Sequence, residues 1–150
     1  MSGAKRGDEN ALHERLVVLQ IRYHPKFKVS TDTLLFAGSR DEIDLLRSFF
    51  LVWNGEQVDL IGYLQGKTKV YLFAVSSFQL RRDTSDAFTW RKDKGTWLIS
   101  SEHQQTLIGL LDGLLNANDE GHQYLDDGTG PVQIMVSKDE NYPLPPPATP

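Results

Sequence analysis

An α+β fold, with two α-helices packed mainly on one face of an antiparallel β-sheet, is predicted by three features of this sequence. Several short segments alternate apolar and polar residues with period two, the mark of half-buried strands. Two longer segments, Ile43 to Trp53 and Leu107 to Leu115, repeat apolar residues at helical spacing. Glycine-bearing turns join the alternating segments in pairs, as hairpins require.

Taken in order, residues 1–12 read as a loose N-terminal tail. Leu16 to Tyr23 is the first strand, with Val17, Leu19, Ile21 and Tyr23 on one face. His24-Pro25 should break it, and Phe27-Lys28-Val29 should return as a short second strand. Thr33 to Ala37 is a third, short and apolar. Ser39 and Glu42 have the spacing of a capping box and open a helix whose stripe is Ile43, Leu45, Leu46, Phe49, Phe50 and Trp53. Asn54-Gly55 stops it. Val58 to Leu64 and Thr68 to Val75 follow as strands around a hairpin at Gln65-Gly66-Lys67.

Phe88 to Lys92 and Thr96 to Ile99 then flank Asp93-Lys94-Gly95, a second hairpin signal. Ser101 and Gln104 have capping-box spacing ahead of Leu107, Ile108, Leu110, Leu111, Leu114 and Leu115. His122 to Leu125 and Val132 to Ser137 pair around Asp127-Gly128-Thr129-Gly130. The end, PLPPPATP (143–150), reads as an extended tail, leaving 13–142 as one domain. An offset of 62 residues lays Ser39 on Ser101, Phe49 on Leu111 and Gly66 on Gly128, which suggests a β-α-β-β pseudo-repeat, with chance alignment as its rival.

Composition narrows the function classes. With 150 residues, 39% of them hydrophobic and 24% charged, the chain can bury a core without staples. The absence of cysteine excludes disulfides, thiolate nucleophiles and cysteine-held metals, and suits a reducing compartment. No apolar run approaches the roughly 20 residues that span a bilayer, and no secretion-signal block opens the chain, so a cytoplasmic protein without membrane contact is expected. A net charge of −4 opposes a general nucleic-acid coat.

Charge is segregated. Between Leu64 and Leu98, seven basic residues (Lys67, Lys69, Arg81, Arg82, Arg91, Lys92, Lys94) face three acids. Between Asp112 and Glu140, seven acids (Asp112, Asp119, Glu120, Asp126, Asp127, Asp139, Glu140) face only Lys138. Such asymmetry can steer a partner of opposite charge.

Chemistry finds little support. No Gly-x-Ser-x-Gly elbow is present, and Gly38-Ser39 reads as a helix cap. Of four histidines, His13 lies near the tail, His24 precedes proline and His103 sits in a first helical turn, where the dipole disfavours its charged form. His122 alone has acidic company, with Tyr124 and Asp126 on its strand face, but no second histidine at ligand spacing. Asp127-Gly128-Thr129-Gly130 lacks the lysine and helix of a phosphate loop. No catalytic residue, metal or cofactor is therefore expected. Arg81-Arg82 and Trp90-Arg91-Lys92 interleave bases and aromatics as single-strand binders do, yet the rest of the chain is acidic, Trp53 and Trp97 read as core, and no nucleic-acid partner is expected.

Contact is the better reading. Tyr124 and Tyr142 stand among Asp126, Asp127, Asp139 and Glu140, an aromatic pair in an acidic rim that fits a binding face for a basic protein. Gly121-His122-Gln123-Tyr124-Leu125-Asp126 and Val132-Gln133-Ile134-Met135-Val136-Ser137-Lys138-Asp139-Glu140-Asn141-Tyr142-Pro143 resemble the ending of small α+β bacterial immunity proteins of polymorphic toxin systems. The likeness extends back over the preceding helix and Thr96-Trp97-Leu98-Ile99. It implies a cytoplasmic, non-catalytic binder that neutralises a cognate toxin by occlusion, with a basic toxin domain as partner. The alternative is a small-molecule-binding or hydrolytic enzyme with its site around His122. An open sheet edge would allow a monomer or a weak homodimer.

Overall fold

The computed structural model describes residues 18–28, 31–126 and 130–140, the side chains of 27 and 28 excepted. Among them are nine strands and three helices: β1 (Leu19–Lys28), β2 (Thr31–Gly38), α1 (Arg40–Val52), β3 (Val58–Asp59), α2 (Leu60–Gln65), β4 (Val70–Phe73), β5 (Ser77–Arg82), β6 (Ala87–Arg91), β7 (Lys94–Ile99), α3 (Ser101–Asn116), β8 (Gly121–Tyr124) and β9 (Val132–Lys138). The fold is α+β. Its strands form two sheets, ordered β4-β1-β2-β9-β8 and β3-β5-β7-β6.

The expectation of an antiparallel sheet holds for four pairings, β1 with β2, β3 with β5, β6 with β7, and β8 with β9. The pairs β1 with β4, β2 with β9, and β5 with β7 are parallel, so both sheets are mixed. Parallel neighbours need long crossovers, and the sequence between Gly38 and Val132 supplies them. The pseudo-repeat gains no support here. Strands β2 and β4 share a sheet with β1 between them, whereas β7 and β9 stand in different sheets.

One face of the larger sheet carries the main core. Leu19, Ile21, Leu34, Phe36, Ile134 and Val136 from it, Ile43, Leu46, Phe49 and Phe50 from α1, Leu107 and Leu111 from α3, and Phe78, Leu80, Trp97 and Ile99 from the smaller sheet form one buried cluster. Helix α1 packs on α3 and lies against β2 and β9, and α3 lies against β8. Rings bridge the two sheets: Tyr23 is stacked on Trp90 with centroids 4.4 Å apart, and Phe36 meets Phe78 at 5.8 Å. Gly95 makes this packing possible, because a Cβ there would stand 3.1 Å from carbons of Phe78, Phe88 and Trp90. The opposite face of the larger sheet buries a second small cluster, Leu35, Ala37 and Met135, with Tyr124 against it. Central strand β2 is thus buried on both faces, which explains its unbroken apolar run.

Five local expectations are corrected. His24-Pro25 does not end the first strand: β1 runs to Lys28, and the irregularity is absorbed as a register shift between His24 and Lys28, with Lys26 in the left-handed region at φ 48. Val58 to Leu64 is not a strand but a two-residue β3 followed by α2, because the Asp59 carboxylate accepts from the Ile61 N–H and caps a helix. Gln65-Gly66-Lys67 is consequently a helix end, and β3 and β4 enter different sheets. The turn between β6 and β7 is Lys92-Asp93 and not Asp93-Lys94-Gly95, with Arg91 paired to Lys94 and Gly95 inside β7. Strand β5 is a further element, in which Phe78 and Leu80 alternate with polar neighbours. The second helix is capped by Ser100, whose hydroxyl accepts from the His103 N–H at 3.0 Å.

Gln104, freed from capping, is buried and donates to the carbonyls of Phe50 (2.6 Å) and Trp53 (3.0 Å) while accepting from the Arg82 guanidinium. It thereby satisfies carbonyls at the C-terminal end of α1 from the first turn of α3. At the start of α1 the box is as expected, with the Ser39 N–H and hydroxyl both donating to Glu42 Oε1 at 3.1 and 2.7 Å.

Candidate functional site

The residues singled out from the sequence fall on β8, β9 and their ends. Strand β8 is an edge of the larger sheet, and His122 and Tyr124 stand side by side on one of its faces, ring centroids 6.1 Å apart. Pairing places His122 opposite Ser137 and Tyr124 opposite Met135. Beyond β9, Glu140 accepts from the Ser137 hydroxyl and lies 3.3 Å from His122 Nδ1. The carboxylate therefore stands between hydroxyl and imidazole. Nucleophile activation requires the base to touch the hydroxyl directly, with the acid on the far side of the ring. The order here instead ties Glu140 back onto the sheet, and Ser137 is buried.

Asp139 has a left-handed backbone at φ 59, and its N–H donates to the Gly38 carbonyl at 2.9 Å, which leaves its side chain exposed. Asp126 is elsewhere. Its Oδ1 accepts from the Ile134 N–H at 2.9 Å, near the other end of β9. The six residue-to-residue steps from Ile134 to Glu140 span about 20 Å if extended, so Asp126 is remote from Asp139 and Glu140. The predicted acidic rim is divided, with Tyr124 between its parts. Asp127 and Tyr142 lie outside the described residues.

Two acids that the sequence reading left out of the rim join it. The last pair of the β8–β9 ladder is Gly121 with Lys138. Asp119 and Glu120 precede Gly121, and Asp139 and Glu140 follow Lys138, so one register gathers four acids at one end of the sheet. Asp119, Glu120 and Asp139 are exposed. Lys138 does not offset them at the surface: its side chain is 1% exposed, and its ammonium donates to the Ala117 carbonyl at the end of α3. That contact suits a cation, because a helix C-terminus carries partial negative charge.

A cleft of about 450 Å³ lies at the other end of β8 and β9, lined by Asp86, Phe88, Trp97, His103, Asp126 and Val132 among others. Asp86, before β6, accepts from the Ser100 N–H (2.7 Å) and the Ser100 hydroxyl (3.2 Å), fixing it beside the start of α3. His103 meets Trp97 edge to face, centroids 5.8 Å apart. The walls come from β6, β7, α3 and the β8–β9 hairpin, so no local motif could have announced them.

The basic segment resolves differently from its sequence pattern. Arg81, Arg91 and Lys94 lie exposed on the outward face of the smaller sheet. Arg82 turns inward, with its guanidinium 4.9 Å from the Trp53 ring, and Trp90 is stacked on Tyr23. Arg82 and Trp90 are thus used inside the fold, while Arg81, Arg91 and Lys92 stay exposed. Among the described residues no group of three or more His, Asp or Glu is placed to hold a metal, and no helix is long and apolar enough to cross a membrane.

Set beside known proteins, the chain matches no family model, no curated protein and no solved structure.

Proposed function

We propose that this chain is a non-catalytic protein-binding domain that captures a basic partner at the end of the larger sheet where β8 and β9 terminate. The observation that carries this reading is the register pairing Gly121 with Lys138, which sets Asp119, Glu120, Asp139 and Glu140 together while Lys138 is turned inward. Exposed acids at a rim act mainly on the rate and specificity of capture. The adjoining edge strand β8 offers His122 and Tyr124 as contact area and backbone groups for strand addition.

The specific form we propose is toxin neutralisation by occlusion in the cytoplasm, with a basic toxin domain as the partner. It rests on the likeness of residues 121–143 to immunity proteins together with this charge arrangement. The test is affinity capture from extracts of the source cells, followed by co-expression with each retained chain. Retention of a basic polypeptide whose growth inhibition is relieved by this protein is the expected result. Retention of no basic polypeptide, or no relief of inhibition, would remove the toxin-neutralising reading.

A further inference from the structure

The cleft at the far end of β8 and β9 belongs to no part of the docking end. Its ionisable walls among the described residues are Asp86, Asp126 and His103, and neither Lys nor Arg is among its described lining residues. Phe88, half-buried, supplies aromatic surface, Trp97 lines the cleft with the 3% of its surface left exposed, and Val132 closes one side. Its volume, about 450 Å³, falls within the range of small-ligand sites.

Two electrostatic effects compete there. The start of α3 carries a partial positive charge of about half a unit, which would favour an anion. That pole is already engaged, because Asp86 accepts from the Ser100 N–H and the Ser100 hydroxyl accepts from the His103 N–H. Two full carboxylate charges therefore outweigh it. A planar cation gains twice in such surroundings, from charge-assisted hydrogen bonds to carboxylate and from contact with aromatic rings. Guanidinium meets both demands better than ammonium, being flat and weakly hydrated.

We propose that this cleft is a binding site for a guanidinium group, held between the Asp86 and Asp126 carboxylates and against the Phe88 ring, beside Trp97. The group could be carried by a free small molecule or by an arginine side chain of the protein partner, and the experiment separates these sources. The inference does not depend on the acidic docking end, since none of Asp119, Glu120, Asp139 or Glu140 lines the cleft.

The full chain, labelled with ¹⁵N, is titrated with ethylguanidinium, with an acetylated and amidated Gly-Arg-Gly peptide, with its lysine counterpart and with neutral ethylurea. Saturable shifts at the Trp97 indole and the His103 ring are expected with the first two, and at least tenfold weaker binding with the last two. Asp126→Asn retains an oxygen able to accept from Ile134 and should weaken ethylguanidinium binding at least tenfold. Asp86→Asn serves as the second variant and should do the same. Equal affinity for peptide and ethylguanidinium assigns a free ligand, and tighter peptide binding assigns a partner's arginine. Absence of saturable shifts at Trp97 and His103, equal binding of ethylurea, or wild-type affinity in both variants would overturn the proposal.

Discussion

Tyr23 of β1 and Trp90 of β6 lie face to face, ring planes within 4° and centroids 4.4 Å apart, and so join the edge of the smaller sheet to the larger one. Such a pair contributes about 0.5–1.5 kcal/mol beyond the area it buries. A double-mutant cycle of Tyr23→Leu and Trp90→Leu, followed by urea unfolding, should return a coupling of about 1 kcal/mol. A coupling near zero would mean that the sheets are held by the central core alone.

Gln104 links the two long helices through hydrogen bonds to the Phe50 and Trp53 carbonyls and from Arg82. Gln104→Ala leaves these buried groups without their partner, a loss of about 1–3 kcal/mol. Gln104→Glu should also destabilise, because a carboxylate cannot donate to the two carbonyls. Either substitution leaving the urea midpoint unchanged would contradict the role assigned to this side chain.

His24 has a pKa lowered chiefly by burial and further by the Arg22 charge. The unfolded chain then binds a proton more readily than the folded one. The resulting stability is present above the ordinary histidine pKa, about 6.5, and is lost as pH falls from there through the folded value. His24→Gln should flatten the fall in urea midpoint on acidification from neutral pH. An unchanged pH profile would exclude this contribution.

Lys92 occupies the tight turn between β6 and β7 with φ 61, a left-handed conformation that costs a non-glycine residue about 1–2 kcal/mol. Lys92→Gly should therefore raise stability by up to about 1 kcal/mol, after the greater entropy of the unfolded glycine is deducted. Differential scanning calorimetry would detect the gain as a higher Tm, and a lower Tm would contradict the strain.

The comparison of sequence with structure turns on how local each signal is. Helix α1 was legible because Ser39, Glu42 and the Ile43–Trp53 stripe all lie within one segment. The β6–β7 and β8–β9 hairpins were legible for the same reason. Helix α2 was not, because its one start signal, Asp59, is embedded in an apolar run that suits a strand equally well. The parallel pairings were hidden, since none joins strands consecutive in the chain and β2 and β9 lie far apart in it. The candidate site shows the same limit. Adjacency of Asp119 and Glu120 to Asp139 and Glu140 depends on the register of one ladder, and the cleft draws its walls from four distant segments.

The central claim, capture of a basic partner at the end of β8 and β9, is tested most directly by calorimetric titration of the captured partner with a neutralised variant. Asp119→Asn, Glu120→Gln, Asp139→Asn and Glu140→Gln together remove the charge, while asparagine tolerates the left-handed backbone at 139 and glutamine can still accept from Ser137. At roughly 0.5 kcal/mol for each of the four charges, affinity should fall on the order of thirtyfold at low salt, with less loss as salt is raised. Neutralising Asp83 and Asp93, on the basic segment, should leave affinity unchanged. Wild-type affinity in the fourfold variant, with its fold intact by circular dichroism, would contradict the account.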